Sequence, residues 1–411
     1  MTAFNIADTV FIARLGTTTL AAYGFTLPLV MFFMGIIFGL SVGTGSVIAR
    51  AYGRDPALAH RLSTDSLTLT AIIVAAAALI GHFLAEPIFR LMGAGEDVMP
   101  LIMDYMTVWY GGMAFLAVMM VGNTCIRATG DTVYPAIIMT VTAVVNVILD
   151  PFLIYGWGPF PALGMTGAAV AVVTTYFFSC IVSVYLLAKH RQALAFPLFS
   201  PETLHSWKKI LQVGIPSIIN NQIAPLSAAT ITFLAAGIGH EAVAALGVAS
   251  RVEGLTVVIF YALGAGAAIF AGQNYGAGNF GRVSEIVTVA ARAALLWGAG
   301  LAAVLWAFSG VIPPFFDPNP QVVGFTQQYL RIVPISYGAM GVLIVSNAVL
   351  NAMGKPISAT MLMLTRALIL YVPLAWIAER YYGFAGILWA LAFSNFAVSA
   401  ASYLWNKKVA S

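Results

Sequence analysis

FIARLGTTTLAAYG, residues 11–24, returns in altered form as LAAGIGHEAVAALG, residues 234–247, at an offset of 223. The same offset lays Thr9 on Thr232, Gly43 on Gly266 and Tyr52-Gly53 on Tyr275-Gly276. Further along, NTCIRATG (123–130) falls over NAVLNAMG (347–354) with the offset slipped by one, and GMTGAAVA (164–171) falls over GFAGILWA (383–390). Self-similarity sustained at one spacing marks a chain built from two copies of a unit.

Composition says what the unit is made of. Of 411 residues, 61% are hydrophobic and 8% charged, with a mean hydropathy of +0.92. Soluble domains carry about 25% charged residues, so this is a polytopic membrane protein. A spanning helix needs about 20 apolar residues. Runs of that length predict spans near 18–49, 62–85, 98–126, 132–156, 163–188, 209–237, 242–272, 283–312, 321–351, 356–379 and 383–406, with a partial span over 1–15. The expected fold is therefore an all-α integral membrane protein of two six-helix bundles. Its N-terminal lobe covers 1–195, its C-terminal lobe 196–411, and the basic segment KHRQALAFPLFSPETLHSWKK (189–209) joins them. An even number of spans per half makes the repeats parallel, an architecture of secondary transporters with the substrate path between lobes. Met1 maps onto Ala224, whereas the matching second-half helix begins near Lys208. The first helix is thus expected to be truncated by roughly 15 residues of the ~20 a span needs; a short re-entrant start is the alternative.

Basic residues orient the chain. Arg50, Arg54, Arg61, Arg127, Lys189, Arg191, Lys208, Lys209, Arg282 and Lys355 fall in one set of alternate loops and lead to Lys407 and Lys408, while the opposite loops hold only Arg14, Arg90 and Arg380. The first set and the C-terminus are expected to be cytoplasmic, in a multi-pass protein of the inner (plasma) membrane with no cleavable signal. The net charge of +4 follows this topology and implies no nucleic-acid partner. Cys125 and Cys180 lie in apolar runs as small hydrophobes, without metal-ligand spacing. No HExxH, GxSxG, Walker motif or histidine cluster occurs. Neither an enzyme nor an ATP-driven pump is expected, and no cofactor or metal centre.

Polar residues in the apolar spans remain to be explained. VVNVILDPFLIYG (144–156) carries Asn146 and Asp150 four residues apart, on one helix face. Mid-membrane Asp costs about 2.5–3.5 kcal/mol to insert. The repeat supplies a control: Asp8 maps onto Ile231, Asn146 onto Leu370 and Asp150 onto Leu374. The second half accepts aliphatic residues at these places, so the scaffold does not require the acids. Pro151 frees a backbone carbonyl one turn earlier and favours a local bend. Asp150 reads as a carboxylate that loads and releases a proton; an Asp capping a bent helix is the structural alternative.

ASRVEGL (249–255) puts Arg251 and Glu253 deep in another span, where Pro28 and Val30 stand in the first half. Two residues apart they do not face one another, and they read either as lobe-bridging or as secondary coupling. Arg292, Arg331 and Arg366 read as structural or snorkelling residues, and Asp65 and Asp104 as acids at helix starts. Met31, Phe38, Asn220, Asn221 and Gln222 are candidates for the substrate cavity, since methionine and aromatic faces suit apolar organic cations.

NIADTVFIARLGTTTLAAYG, IRATGDTVYPAI and FAGQNYGAGN resemble signatures of the multidrug and toxic compound extrusion (MATE) transporters. Asp8 with Asn146-x-x-x-Asp150-Pro151 resembles the DinF-type branch. The resemblance covers the whole chain and implies the twelve-span MATE fold. It also implies a cation-responsive network at Asp8, Asn146 and Asp150, with H+ or Na+ as coupling ion and Na+ held at Asp8 and Asp150 where sodium is used. The implied function is a secondary active multidrug efflux antiporter, exporting organic, often cationic compounds by alternating access. A flippase for lipid-linked sugars, from the wider superfamily, is the alternative; it would ask for several deep basic residues, whereas only Arg251 reads as deep. The expected partners are small-molecule drugs and membrane lipid, and the chain is expected to be monomeric. In one respect this sequence departs from the branch. Val172 stands where a threonine often completes Gly-Ala-Ala-x-Ala-Thr, leaving Thr174 and Thr175 nearby. A NorM-type glutamate would fall at Ala224, which argues against that branch's sodium site.

Overall fold

The computed structural model describes residues 8–9, 11–12, 14–158, 161–190, 194–195, 201–316 and 319–410. Most of the partial span at 1–15, and the truncation expected there, lie outside those residues, as does part of the joining segment 189–209. The described residues are helical almost throughout. In chain order they form α1 (Thr17–Tyr52), α2 (Pro56–Leu91), α3 (Met99–Ala128), α4 (Val133–Tyr155), α5 (Gly164–Tyr185), α6 (Thr203–Ile238), α7 (His240–Thr256), α8 (Val258–Gly276), α9 (Phe280–Ala307), α10 (Pro320–Ile332), α11 (Tyr337–Ala352), α12 (Pro356–Leu364) and α13 (Val372–Ala410). Among the described residues, ten helical stretches are long and apolar enough to cross a membrane.

The tenth of these explains the difference from the eleven full spans read in the sequence. Pro356–Asn406 is 51 residues long, far more than the ~20 that cross one bilayer. It turns at Gly383, whose backbone is left-handed at φ 55 and ψ −137, a conformation that costs L-residues with a side chain. The stretch therefore supplies both of the last two expected spans. Gly164, the repeat-equivalent of Gly383, opens α5 with φ 58. Two further repeat pairs, Gly16 with Gly239 and Gly130 with Gly354, also have positive φ in both copies. The sequence repeat is thus a repeat of backbone turns.

Two compact units result, one of Met1–Ile48 with Asp55–Gly214, the other of Ala49–Arg54 with Ile215–Ser411. In the first, α3 is the central helix, packed on α2 and α5, and α4 packs on α5. Met106, Met113, Met119 and Met120 are buried there as packing residues. The start of α6 is tied to α2 through Asp65, which is fully buried. Arg61 pairs with Asp65 at 2.8 Å, Thr203 Oγ1 donates to Asp65 Oδ1 at 3.0 Å, and Trp207 Nε1 donates to the Asp65 carbonyl at 2.9 Å. In the second unit α11 is central, with α8, α9, α12 and α13 around it.

Close approach in the first unit depends on Gly167. A Cβ there would collide with the Leu153 carbonyl oxygen, a backbone atom with no freedom to yield. Gly167→Ala should therefore push α5 off α4 and cost about 1–3 kcal/mol. Gly300→Ala, which meets nothing within 4 Å, is the matched control. Thermal unfolding of the purified protein should show a lower midpoint for the first variant alone.

Candidate functional site

Asp8, Asn146 and Asp150 come together in the first unit. The α4 helix continues through Pro151 to Tyr155, so Asn146 and Asp150 stay one turn apart on its inner face. Asp8 arrives from the segment before α1, which is pinned to the same helix: the Tyr155 hydroxyl donates to the Phe11 carbonyl at 2.7 Å, and the two rings meet edge to face at 6.3 Å. All three polar residues are withdrawn from solvent, with exposures of 3%, 0% and 0% for Asp8, Asn146 and Asp150.

The asparagine is the bridge. In the amide orientation that satisfies its neighbours, Asn146 Nδ2 donates to Asp150 Oδ2 and to Asp8 Oδ1, each at 3.2 Å. Its Oδ1 accepts from the Val172 backbone N–H at 3.3 Å. The position where a threonine hydroxyl is missing thus enters the network through its main chain. Thr175 does not replace that hydroxyl, because its Oγ1 donates to the Ala171 and Val172 carbonyls of its own helix, at 2.9 and 2.8 Å.

The two carboxyl groups lie within hydrogen-bonding reach of each other, and among the described residues no protein donor is aimed at the buried Asp150 Oδ1. Two bare negative charges about 4 Å apart repel by about 4 kcal/mol at an effective dielectric of 20. One amide donor pair cannot offset that. A proton or a cation shared between the carboxylates removes the repulsion, and the open oxygen gives it a place. Tyr23, Tyr105 and Tyr176, all buried, stand near enough to feel the charge on Asp8, with Tyr23 and Tyr105 edge to face at 5.6 Å. No spacing rule in the sequence pointed to these three tyrosines.

The repeat-equivalent place in the second unit is apolar. Ile231 is buried in a cluster with Leu234, Tyr371 and Ala375, and Leu374 packs against it. The positions matching Asp8 and Asp150 therefore share one hydrophobic cluster. The acids are an addition of the first half to a scaffold that closes without them.

Polar groups gather elsewhere in the second unit. Arg251 and Glu253 part company there. Arg251 is exposed, while the half-buried Glu253 accepts a hydrogen bond from the Tyr329 hydroxyl. Arg366, read as structural from the sequence, stands ten residues beyond Pro356, inside a π-helical turn at Thr365–Tyr371. Its Nη1 donates to Asn395 Oδ1 at 3.0 Å, and Asn395 Nδ2 donates to Ser336 Oγ at 3.0 Å. Tyr329 lies 224 residues after Tyr105, so the repeat could have nominated it; Arg366 and Asn395 are joined only by packing. Of the substrate-cavity candidates, Asn220 Nδ2 donates to Asn347 Oδ1 at 3.4 Å, and Asn221 turns to its own helix, donating to the Ser217 carbonyl at 2.9 Å. Among the described residues Gln222 Nε2 is buried without a partner, and Met31 and Phe38 are exposed on α1. Among the described residues no group of three or more His, Cys, Asp or Glu side chains is arranged to hold a metal ion.

The chain resembles known proteins along its length. The family model MatE matches residues 1–152 and 216–377, one block in each half. A protein of Shewanella oneidensis named FAD transporter is 35% identical over 408 residues, covering 99% of this chain and 90% of its own. The probable multidrug resistance protein YoeA of Bacillus subtilis is 28% identical, with 96% and 88% covered. Among solved structures, the Vibrio cholerae MATE transporter VcmN in its bent form superposes with a TM-score of 0.95 at 29% identity, covering 100% of this chain and 92% of that one.

Proposed function

Because the chain belongs to the MatE family, whose members are membrane transporters and not enzymes, we propose that it exports a small organic compound in exchange for a cation held by Asp8, Asn146 and Asp150. The observation that carries this reading is the amide-bridged carboxyl pair, buried where the other half of the chain has Ile231 and Leu374. A buried acid pair with an open oxygen must change its charge state or its bound cation when access changes sides, and that change is the coupling. The family handles small organic substrates without a cofactor, and H+ is the ion the pair suits on geometry, since sharing one proton needs no further ligand. Na+ would need additional oxygens around it. The protein is proposed to work as a monomer in the inner membrane with its C-terminus in the cytoplasm, as its loop charges indicate.

Two substrate classes follow from the relatives. The relative named a probable multidrug resistance protein favours an organic drug, for which ethidium, an amphipathic cation, is the probe. The 35% identical relative named FAD transporter favours a flavin dinucleotide. Purified protein in liposomes with an acidic interior should accumulate ethidium or FAD in the lumen as protons leave. A sodium gradient at equal pH should drive less. Flux that ignores both gradients would remove the antiport reading, and sodium-driven flux alone would reassign the ion.

A further inference from the structure

Arg366 is a membrane arginine with no counter-ion in contact among the described residues. Ten residues past Pro356, it stands about 15 Å along a helix rising 1.5 Å per residue, near the middle of a hydrocarbon layer about 30 Å thick. Charged side chains at that depth are costly and pair with a partner or mark a pathway. The ion pairs among the described residues are Arg61–Asp65, Arg90–Glu86 and Arg90–Glu96. Glu253 lies within electrostatic range of Arg366, yet its carboxylate accepts from Tyr329 and makes no ion pair with the guanidinium.

The guanidinium is nevertheless held. Its one hydrogen bond leaves from Nη1 to Asn395 Oδ1, and Asn395 is fixed in turn on Ser336. That bond occupies one tip of the fork; among the described residues the opposite edge, Nε with Nη2, meets no protein acceptor, and Nε is buried. The Nε–Nη2 edge is the one that grips phosphate or carboxylate with two parallel hydrogen bonds. The surrounding turn is π-helical, a local widening that recurs at functional sites. At the repeat-equivalent place in the first half stands Thr142, a neutral residue bonded to the Ile138 carbonyl and to Ser179. The charge is therefore an addition to the scaffold, as the acids are in the other half.

We propose that Arg366, oriented by Asn395 and Ser336, is the subsite that takes a phosphate group of the transported compound. This rests on the export reading above and narrows its substrate to organic phosphates, either soluble, such as a flavin dinucleotide, or carried on a lipid. Such a group would replace the missing counter-ion at the free edge.

Wild type, Arg366→Gln, Arg366→Lys and Asn395→Ala should be titrated in nanodiscs with FAD, with riboflavin, which lacks phosphate, and with a polyprenyl diphosphate placed in the bilayer. Wild type is expected to bind FAD at least roughly tenfold more tightly than riboflavin, the scale of a charge-assisted bidentate contact. Arg366→Gln should bring the two within about twofold while riboflavin binding stays unchanged. Arg366→Lys, which keeps the charge and loses the fork, should recover only part of the preference, and Asn395→Ala should fall between. If Arg366→Gln does not fold, the lysine and alanine variants carry the test. Arg366-dependent binding of the lipid diphosphate alone would uphold the subsite, assign its source to lipid and set aside the flavin reading. A preference that survives in all three variants overturns the proposal. So does wild type that exports ethidium yet binds no phosphate compound, and in that case the export reading stands.

Discussion

Asp150→Asn will load into liposomes as well as wild type and will show no gradient-driven accumulation of substrate, a loss of about a hundredfold or more in initial rate. The substitution keeps the size and the hydrogen-bonding shape of the side chain that meets Asn146. What it removes is the ability to exchange a charged for a neutral state. Asp8 would then sit beside two amides and retain its own charge unopposed, so the pair could no longer alternate between one bound cation and none. A shared proton or cation relieves a repulsion of about 4 kcal/mol between the two carboxylates; with one charge gone that drive is lost, which corresponds to more than a hundredfold in the equilibrium the pair controls. Downhill substrate flux should survive, because nothing on the organic substrate's side has changed. Coupled transport retained in Asp150→Asn would reduce Asp150 to a residue that stabilises the Pro151 segment.

The double variant Asp8→Ile with Asp150→Leu should behave in the opposite way for stability and in the same way for transport. It installs in the first half the residues that the second half carries at the matching places, Ile231 and Leu374, which pack in one cluster. Replacing buried charged groups with apolar residues of similar volume is often stabilising, by about 1–4 kcal/mol, and here the removed groups include an acid oxygen with no protein donor among the described residues. Thermal unfolding in detergent should give a higher midpoint than wild type, with gradient-driven uptake abolished. A lower midpoint would mean that the acids hold the first unit together, and the coupling assignment would lose its main support. Together the two variants separate what the carboxylates do for transport from what they cost the fold.

Much of this was legible one residue at a time. The Asn146–Asp150 face follows from a four-residue spacing, and Asp8 stood out because its repeat partner is aliphatic. Asp65 was legible as structural, although it lies in the third turn of α2 and not at its start, because the helix begins at Pro56 ahead of the apolar run. The count of spans was legible too, since hydropathy sees the length of an apolar run even where one helical stretch turns at Gly383. The partner of Arg366 was not legible, because depth along a helix does not tell which way a side chain points. Snorkelling toward the interface and reaching into a polar cluster look alike in a string of letters.

The sequence by itself determined the class of the protein, its spans and its two-fold internal repeat. It also set apart the few polar residues that one half has and the other lacks. These depend on local quantities: apolar run length, helical period, and the cost of charge in hydrocarbon. Only the tertiary structure decided that Asp8 reaches Asn146 across well over a hundred residues, and that Val172 joins through its backbone. It alone placed Glu253 with Tyr329 and Arg366 with Asn395. Those outcomes depend on how each helix is rotated about its own axis, which packing against neighbours sets and hydropathy does not.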